Sequence, residues 1–87
     1  MALLDSLWLD DIFKQEKPTG LVNDVNTNFS LSILPHSHDG VVVFLNGIPQ
    51  ELGVDFTLDG GDPRIIVFTT APATGQSVYC WYVKGKV

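Results

Sequence analysis

The sequence predicts an all-β protein: a small antiparallel β-sandwich or partly open barrel of about six to seven short strands, preceded by a short helical or extended N-terminal arm. Eight Gly and five Pro supply turns, while numerous Val, Thr, Phe and Ile favour strands. Turn signals recur roughly every ten residues, and no long helical pattern interrupts them. Together these observations favour short strands joined by tight turns.

Length and composition indicate one globular domain. The chain has 87 residues, of which 45% are hydrophobic and 17% are charged. Disordered chains have the opposite balance, with low hydrophobicity and high charge. A second hydrophobic core does not fit within this length.

Residues 1–17 differ in pattern from the rest of the chain. Leu4, Trp8 and Ile12 recur every four residues, as on a short amphipathic helix, and Leu7 lies between them. An isolated helix of this length is marginal in water, so the segment must pack on something. Its own domain and a neighbouring subunit both remain open as that packing surface.

Pro18-Thr19-Gly20 interrupts this pattern and marks a boundary. We therefore divide the chain into an N-terminal interaction arm, residues 1–17, and a β-sandwich domain, residues 18–87. We expect the domain to fold without the arm. The candidate partner-binding residues are the large apolar side chains of the arm. They are Leu4, Leu7, Trp8, Ile12 and Phe13.

Six strands are predicted beyond the arm. The first follows Thr27, where Phe29, Leu31 and Ile33 alternate with serines, so that one face is buried. The other predicted strands are residues 41–45, 48–50, 56–58, 64–69 and 77–84.

Asn46-Gly47 predicts the sharpest turn of the chain. This dipeptide after an apolar run favours a two-residue type I′ hairpin. Pro49 follows in the return strand and has no N–H to donate to a ladder. The return strand should therefore be short and lie at a sheet edge or contain a bulge.

The last predicted strand has aromatic residues on both faces. Val78, Cys80 and Tyr82 alternate with Tyr79 and Trp81. We interpret Tyr79 and Trp81 as residues that fill the core. The alternative is that they form an exposed platform on which a glycan ring stacks.

Charge and hydropathy exclude several classes of partner. The formal net charge is −5, and the few basic residues form no stripe, so nucleic acid is not an expected partner. The first residues lack the basic region of a signal peptide. No apolar run approaches the roughly 20 residues that a membrane-spanning helix needs. We expect a protein that is soluble when made, with no membrane partner.

Residues of catalytic or metal-binding type occur where structural roles are favoured. Residues 36–39 contain both histidines, but turn signals flank them and favour exposed loop histidines over a metal site. Asp55, Asp59 and Asp62 adjoin turn residues, where Asp normally accepts backbone hydrogen bonds. Cys80 is the single cysteine and reads as a small buried hydrophobe. We expect no enzyme activity, cofactor or metal.

Residues 17–83 contain an ordered set of short motifs. These are Lys-Pro-Thr-Gly at 17–20, Val-Asn-Asp-Val-Asn-Thr-Asn-Phe-Ser-Leu at 22–31, Val-Phe-Leu-Asn-Gly at 43–47, Gly-Val-Asp-Phe-Thr-Leu at 53–58, Ile-Val-Phe-Thr-Thr-Ala-Pro at 66–72 and Gly-Gln-Ser-Val-Tyr-Cys-Trp-Tyr at 75–82. The set resembles a β-sandwich module of tailed-bacteriophage virion proteins. The sequence departs from that module at Asn23-Asp24, where we expect Asp or Asn followed by Gly. It also departs at Gly61-Asp62-Pro63, which resembles an insertion before the fifth predicted strand.

The resemblance implies a non-enzymatic structural component of a phage virion, assembled in the host cytoplasm. The module occurs in tail fibres, tail and baseplate components, and head-to-tail or decoration proteins. The expected partners are further copies of the chain and neighbouring virion proteins. The alternative function is a glycan-binding module of a tail fibre that contacts the host surface.

Overall fold

The computed structural model describes residues 12–37 and 40–85. The strands, in chain order, are β1 (Phe13–Glu16), β2 (Asn28–Ser30), β3 (Val42–Leu45), β4 (Ile48–Pro49), β5 (Phe56–Leu58), β6 (Ile65–Phe68) and β7 (Val78–Val83). They build two antiparallel sheets. Sheet A has the strand order β1-β7-β3-β4, and sheet B has the order β2-β6-β5.

The hydrophobic core lies between the inner faces of the two sheets. Alternate residues of β6 and β7 are buried, as expected for strands with one face against a core. Phe29 and Phe68 meet edge to face, with ring centroids 5.5 Å apart. The core residues with no more than 1% exposure are Phe29, Val43, Phe56, Ile66, Cys80 and Tyr82.

The predicted all-β sandwich is confirmed, and the six predicted strands correspond to β2 through β7. The first of them is shorter than its apolar alternation, because β2 ends at Ser30. Leu31 nevertheless stays buried, and its N–H donates to the Arg64 carbonyl at 2.7 Å. Ile33 packs against the core from outside a strand.

The hairpin between β3 and β4 is also confirmed. Asn46 and Gly47 have φ values of 53° and 80°, both positive as a type I′ turn requires. The Asn46 side chain accepts a hydrogen bond from the Ser77 N–H at 2.7 Å, which ties the turn to the start of β7. β4 contains two residues and lies at the edge of sheet A, as Pro49 predicts.

β1 is a strand that the sequence analysis missed. The predicted amphipathic helix includes Phe13 and Lys14, but both lie in β1, which pairs antiparallel with β7. A short helix has little intrinsic stability, so backbone pairing with an existing strand outweighs it. The helix prediction is therefore wrong for Phe13 and Lys14, and the extended alternative is correct for the part of the arm that lies in β1. The role of residues 1–17 as an interaction arm stays a prediction.

Candidate interaction surface

The outer face of sheet A is apolar, and we call it the aromatic face. Successive side chains of a strand point to opposite sides, so the neighbours of inward-facing residues point outward. The residues of the aromatic face are Phe13 in β1, Val42 and Phe44 in β3, and Trp81 and Val83 in β7. Val42 lies opposite Trp81 in the strand register. Phe13 lies opposite Val83.

Trp81 lies at the centre of the aromatic face. Its ring centroid is 6.1 Å from that of Phe13 and 5.2 Å from that of Phe44. The interplanar angles are 65° and 59°, which keep the rings inclined to one another. Trp81 still has 38% of its surface exposed, and Val42 has 42%. The three rings therefore brace one another while they present apolar surface to solvent.

A clustered apolar surface of this kind is a characteristic feature of binding sites. Contiguous exposed apolar side chains on a soluble protein mark places where another molecule excludes water. Aromatic residues are also enriched at the centres of protein interfaces. Most other strongly exposed apolar residues, such as Leu21, Val25 and Val54, lie in connecting segments. Within the described residues, the aromatic face is thus the strongest candidate surface.

Polar groups adjoin the aromatic face on β1 and β7. The Tyr79 hydroxyl donates to the Gln15 side-chain oxygen at 3.1 Å. Gln15 lies opposite Trp81 in the register of β1 and β7. The bond joins the two strands across the outer face, and it leaves the Gln15 amide group next to the rings.

The interpretation of Tyr79 and Trp81 as core residues is wrong. Both belong to the outward set of β7, because Val78, Cys80 and Tyr82 occupy its inward positions. β7 is apolar on both sides, so its own sequence does not say which side faces the core. The outer face could have been predicted from the composition of β3, the strand that pairs with β7. Residues 41–45 are also apolar at every position, and two neighbouring strands of that kind give a sheet with two apolar faces.

Glu16 connects β1 to the rest of the sandwich. Its carboxylate accepts hydrogen bonds from the Tyr82 hydroxyl and from the Ser32 N–H, the latter at 3.0 Å. Burial acts to raise the pKa of Glu16, but the hydrogen bonds from Tyr82 and Ser32 and the charge of Lys14 outweigh it. The pKa therefore lies below its ordinary value of 4.5. No local pattern predicts this contact, because Glu16 and Tyr82 are 66 residues apart.

Cys80 is a buried structural residue, as predicted. Its side chain has 0% exposure, and its Sγ donates to the Glu16 carbonyl at 3.3 Å. Burial, followed by the negative charge of Glu16, raises the pKa of the thiol to about 12. The thiol is therefore not activated as a nucleophile near neutral pH.

The aspartates in the turns accept backbone hydrogen bonds, as predicted. The Asp55 carboxylate accepts from the Glu51 N–H at 2.8 Å. The Asp59 carboxylate accepts from the N–H groups of Gly61 and Asp62 at 3.0 and 2.9 Å. These contacts fix the two turns that flank β5.

No group of three or more metal-ligating side chains occurs among residues 12–37 and 40–85. His36 is exposed in the segment between β2 and β3, while His38 and Asp39 lie outside the described residues.

In the same described ranges, no helix is long and apolar enough to span a membrane.

The structure describes two of the five candidate partner-binding residues. Phe13 belongs to the aromatic face, and Ile12 directly precedes β1 with 36% exposure. Leu4, Leu7 and Trp8 lie outside the described residues.

Comparison with protein families, curated proteins and solved structures finds no match to this chain.

Proposed function

We propose that this protein is a non-enzymatic structural component of a tailed-phage virion that binds a neighbouring protein through its aromatic face. The observation that supports binding is the cluster of exposed Trp81 with half-buried Phe13 and Phe44 on the outer side of sheet A. The resemblance of residues 17–83 to a virion module supports the setting. The partners are further copies of the chain and neighbouring tail, neck or fibre proteins.

The construction of the sandwich suits a mechanical role. Most of the aromatic face lies on β3 and β7, whose opposite sides are packed into the core, so its shape is held by the fold. A surface held in this way loses little conformational freedom when a partner binds. The rings of the face also brace one another, which limits their rotation further.

The N-terminal arm and the aromatic face are continuous along the chain. Phe13 is both the last candidate partner-binding residue of the arm and a member of the face. Ile12 accepts a hydrogen bond from the Lys84 N–H at 2.7 Å, which holds this point of the chain at the end of β7. Ile12, which follows residues 1–11 in the chain, therefore lies next to the aromatic face.

The virion assignment is tested by looking for the protein in purified particles. Mass spectrometry of particles from the phage that encodes this chain should find it at a constant ratio to the major head or tail protein. Immunogold labelling should place it at one part of the particle. Absence from purified particles, with the protein present in the infected cell, would contradict the virion assignment.

A glycan-binding module is the second candidate function. Trp81 offers an exposed ring on which a sugar can stack, and the Gln15 amide lies beside it as a hydrogen-bonding group. In this case Gln15→Ala should lower affinity on a glycan array as Trp81→Ser does. For a protein partner that packs on the rings, Trp81→Ser should cost much more affinity than Gln15→Ala.

A further inference from the structure

Strand β1 forms an open edge of sheet A. The Lys84 N–H donates to the Ile12 carbonyl at 2.7 Å, so even-numbered residues of this segment exchange hydrogen bonds with β7. The backbone groups of Phe13 and Gln15 consequently point away from β7. Within residues 12–37 and 40–85, no strand pairs with that side of β1.

The other sheet edges are shorter or partly covered. β4 has two residues, one of them Pro49. β2 exchanges hydrogen bonds of 2.8 Å with Thr19 through Ser30. At the start of β5, the Phe56 carbonyl accepts a hydrogen bond from the Gly53 N–H at 2.7 Å. Four-residue β1 is therefore the longest open edge among the described strands, and open edges are templates for pairing with another chain.

We propose that β1 pairs antiparallel with β1 of a second copy, so that the two A sheets become one continuous sheet. The symmetry axis passes between the two Gln15 residues. This register places Lys14 opposite Glu16 of the second copy, and the reverse pair follows from symmetry. Opposite charges in facing positions stabilise an antiparallel pair.

Charge also selects this register over its neighbours. Centring the pair on residue 14 places Lys14 opposite its own copy, and centring it on residue 16 does the same for Glu16. Like charges directly opposite are destabilising. The register centred on Gln15 also pairs residues whose backbone groups both face the open edge, as hydrogen-bonded positions require.

The β1 pairing rests on the proposed function and specifies one of its partners as a second copy of the chain. Phe13 is on the outer side of β1, so the aromatic faces of two paired copies lie on the same side of the joined sheet. Two copies thus present one larger apolar surface to a neighbouring protein.

A disulfide at position 15 tests the register. Facing residues in a hydrogen-bonded antiparallel pair have Cα atoms about 5.5 Å apart, which suits a disulfide. We expect full-length Gln15→Cys to form a reducible covalent dimer under mild oxidation. Phe13→Cys is the matched control on the same strand face. Its two copies would be roughly 13 Å apart in this register, too far for a disulfide, so it should stay uncrosslinked.

Light scattering on the unmodified chain should give the mass of a dimer, and Lys14→Glu should shift it toward monomer. A monomer at every accessible concentration would overturn the proposal. That is the result for the competing case, in which residues 1–11 of the same chain cover the edge of β1. Equal crosslinking of both cysteine variants would overturn the register. Crosslinking can fail while incorporation into particles still depends on Trp81, and then only the β1 pairing is wrong. If Gln15→Cys crosslinks but incorporation into particles does not depend on Trp81, only the proposed function is contradicted.

Discussion

Positive φ angles at single residues determine two of the connections in this fold. Asn46 and Gly47 form the hairpin turn, and their sequence predicts it because the requirement is local. Asp24 has a φ of 71° at the position where the virion module leads us to expect Gly. Its carboxylate accepts hydrogen bonds from the Thr74 N–H and hydroxyl at 3.1 and 2.9 Å, which offset the strain of that conformation. Thr74 is 50 residues away, so this compensation could not be predicted from local sequence.

Gly47→Val should lower the free energy of unfolding by about 1–3 kcal/mol, the usual cost of a strained backbone position. No heavy atom lies within 4 Å of an added Cβ at Gly47, so the cost comes from the φ angle of 80°. Gly60→Val is the matched control, because Gly60 also has open space and lacks a left-handed φ. Urea denaturation of both variants measures the difference. Equal stabilities would contradict the assigned turn.

The Glu16 carboxylate should make stability depend on pH. Its pKa is lowered in the folded state, so its stabilising contribution is present above its ordinary pKa of 4.5 and is lost as the pH falls through the folded value. Tyr82→Phe removes one donor and should raise the pKa of Glu16, as measured by an NMR pH titration. Glu16→Gln should reduce the loss of unfolding free energy on acidification. An unchanged pH dependence in Glu16→Gln would show that other groups control it.

At the scale of strands, the least predictable element is β1. Strands β2 through β7 are marked by apolar alternation, continuous apolar runs or turn residues between them. β1 has only Phe13 as a large apolar residue within four positions, and its partner β7 begins far along the chain. Pairing with β7 gives it a strand conformation that its own sequence does not specify.

The position of β1 changes what truncation should do. The boundary at residue 17 led to the expectation that residues 18–87 fold alone. Deleting residues 1–16 also removes β1 and the Glu16 hydrogen bonds to Tyr82 and Ser32. With about 1 kcal/mol for each lost hydrogen bond, the unfolding free energy should fall by more than about 2 kcal/mol. Deleting residues 1–11 leaves these contacts in place and should have a much smaller effect. Equal thermal unfolding midpoints for the two truncations would contradict this role of β1.

At the scale of the whole molecule, the sequence predicts the class and most strands but does not determine which side of sheet A faces the core, and the interpretation of Tyr79 and Trp81 as core residues is wrong. Both β3 and β7 are apolar on two faces, so the partition is decided by the packing of sheet B against one of them. Once Tyr82 and Val43 are buried, Trp81 and Phe44 must point outward. The candidate surface is thus a consequence of tertiary packing rather than of a local motif.

Trp81→Ser should leave the fold largely intact because the residue lies outside the core. The variant loses ring contacts with Phe13 and Phe44, each worth about 0.5–1.5 kcal/mol, and no inward contact of the sandwich changes. Circular dichroism should show the same β-type spectrum as the parent chain, with a modestly lower unfolding midpoint. Loss of cooperative unfolding would mean that Trp81 is needed for the core.

The central claim is that the aromatic face binds a neighbouring protein, and competitive incorporation into particles tests it most directly. Cells infected with a phage that lacks its own copy would express the parent chain together with either Trp81→Ser or Leu21→Ser. Leu21 is 73% exposed in the segment between β1 and β2, so its variant controls for loss of an exposed apolar side chain. Mass spectrometry of purified particles should find Leu21→Ser at the ratio of its expression and Trp81→Ser at least tenfold depleted. Equal incorporation of folded Trp81→Ser would contradict the claim.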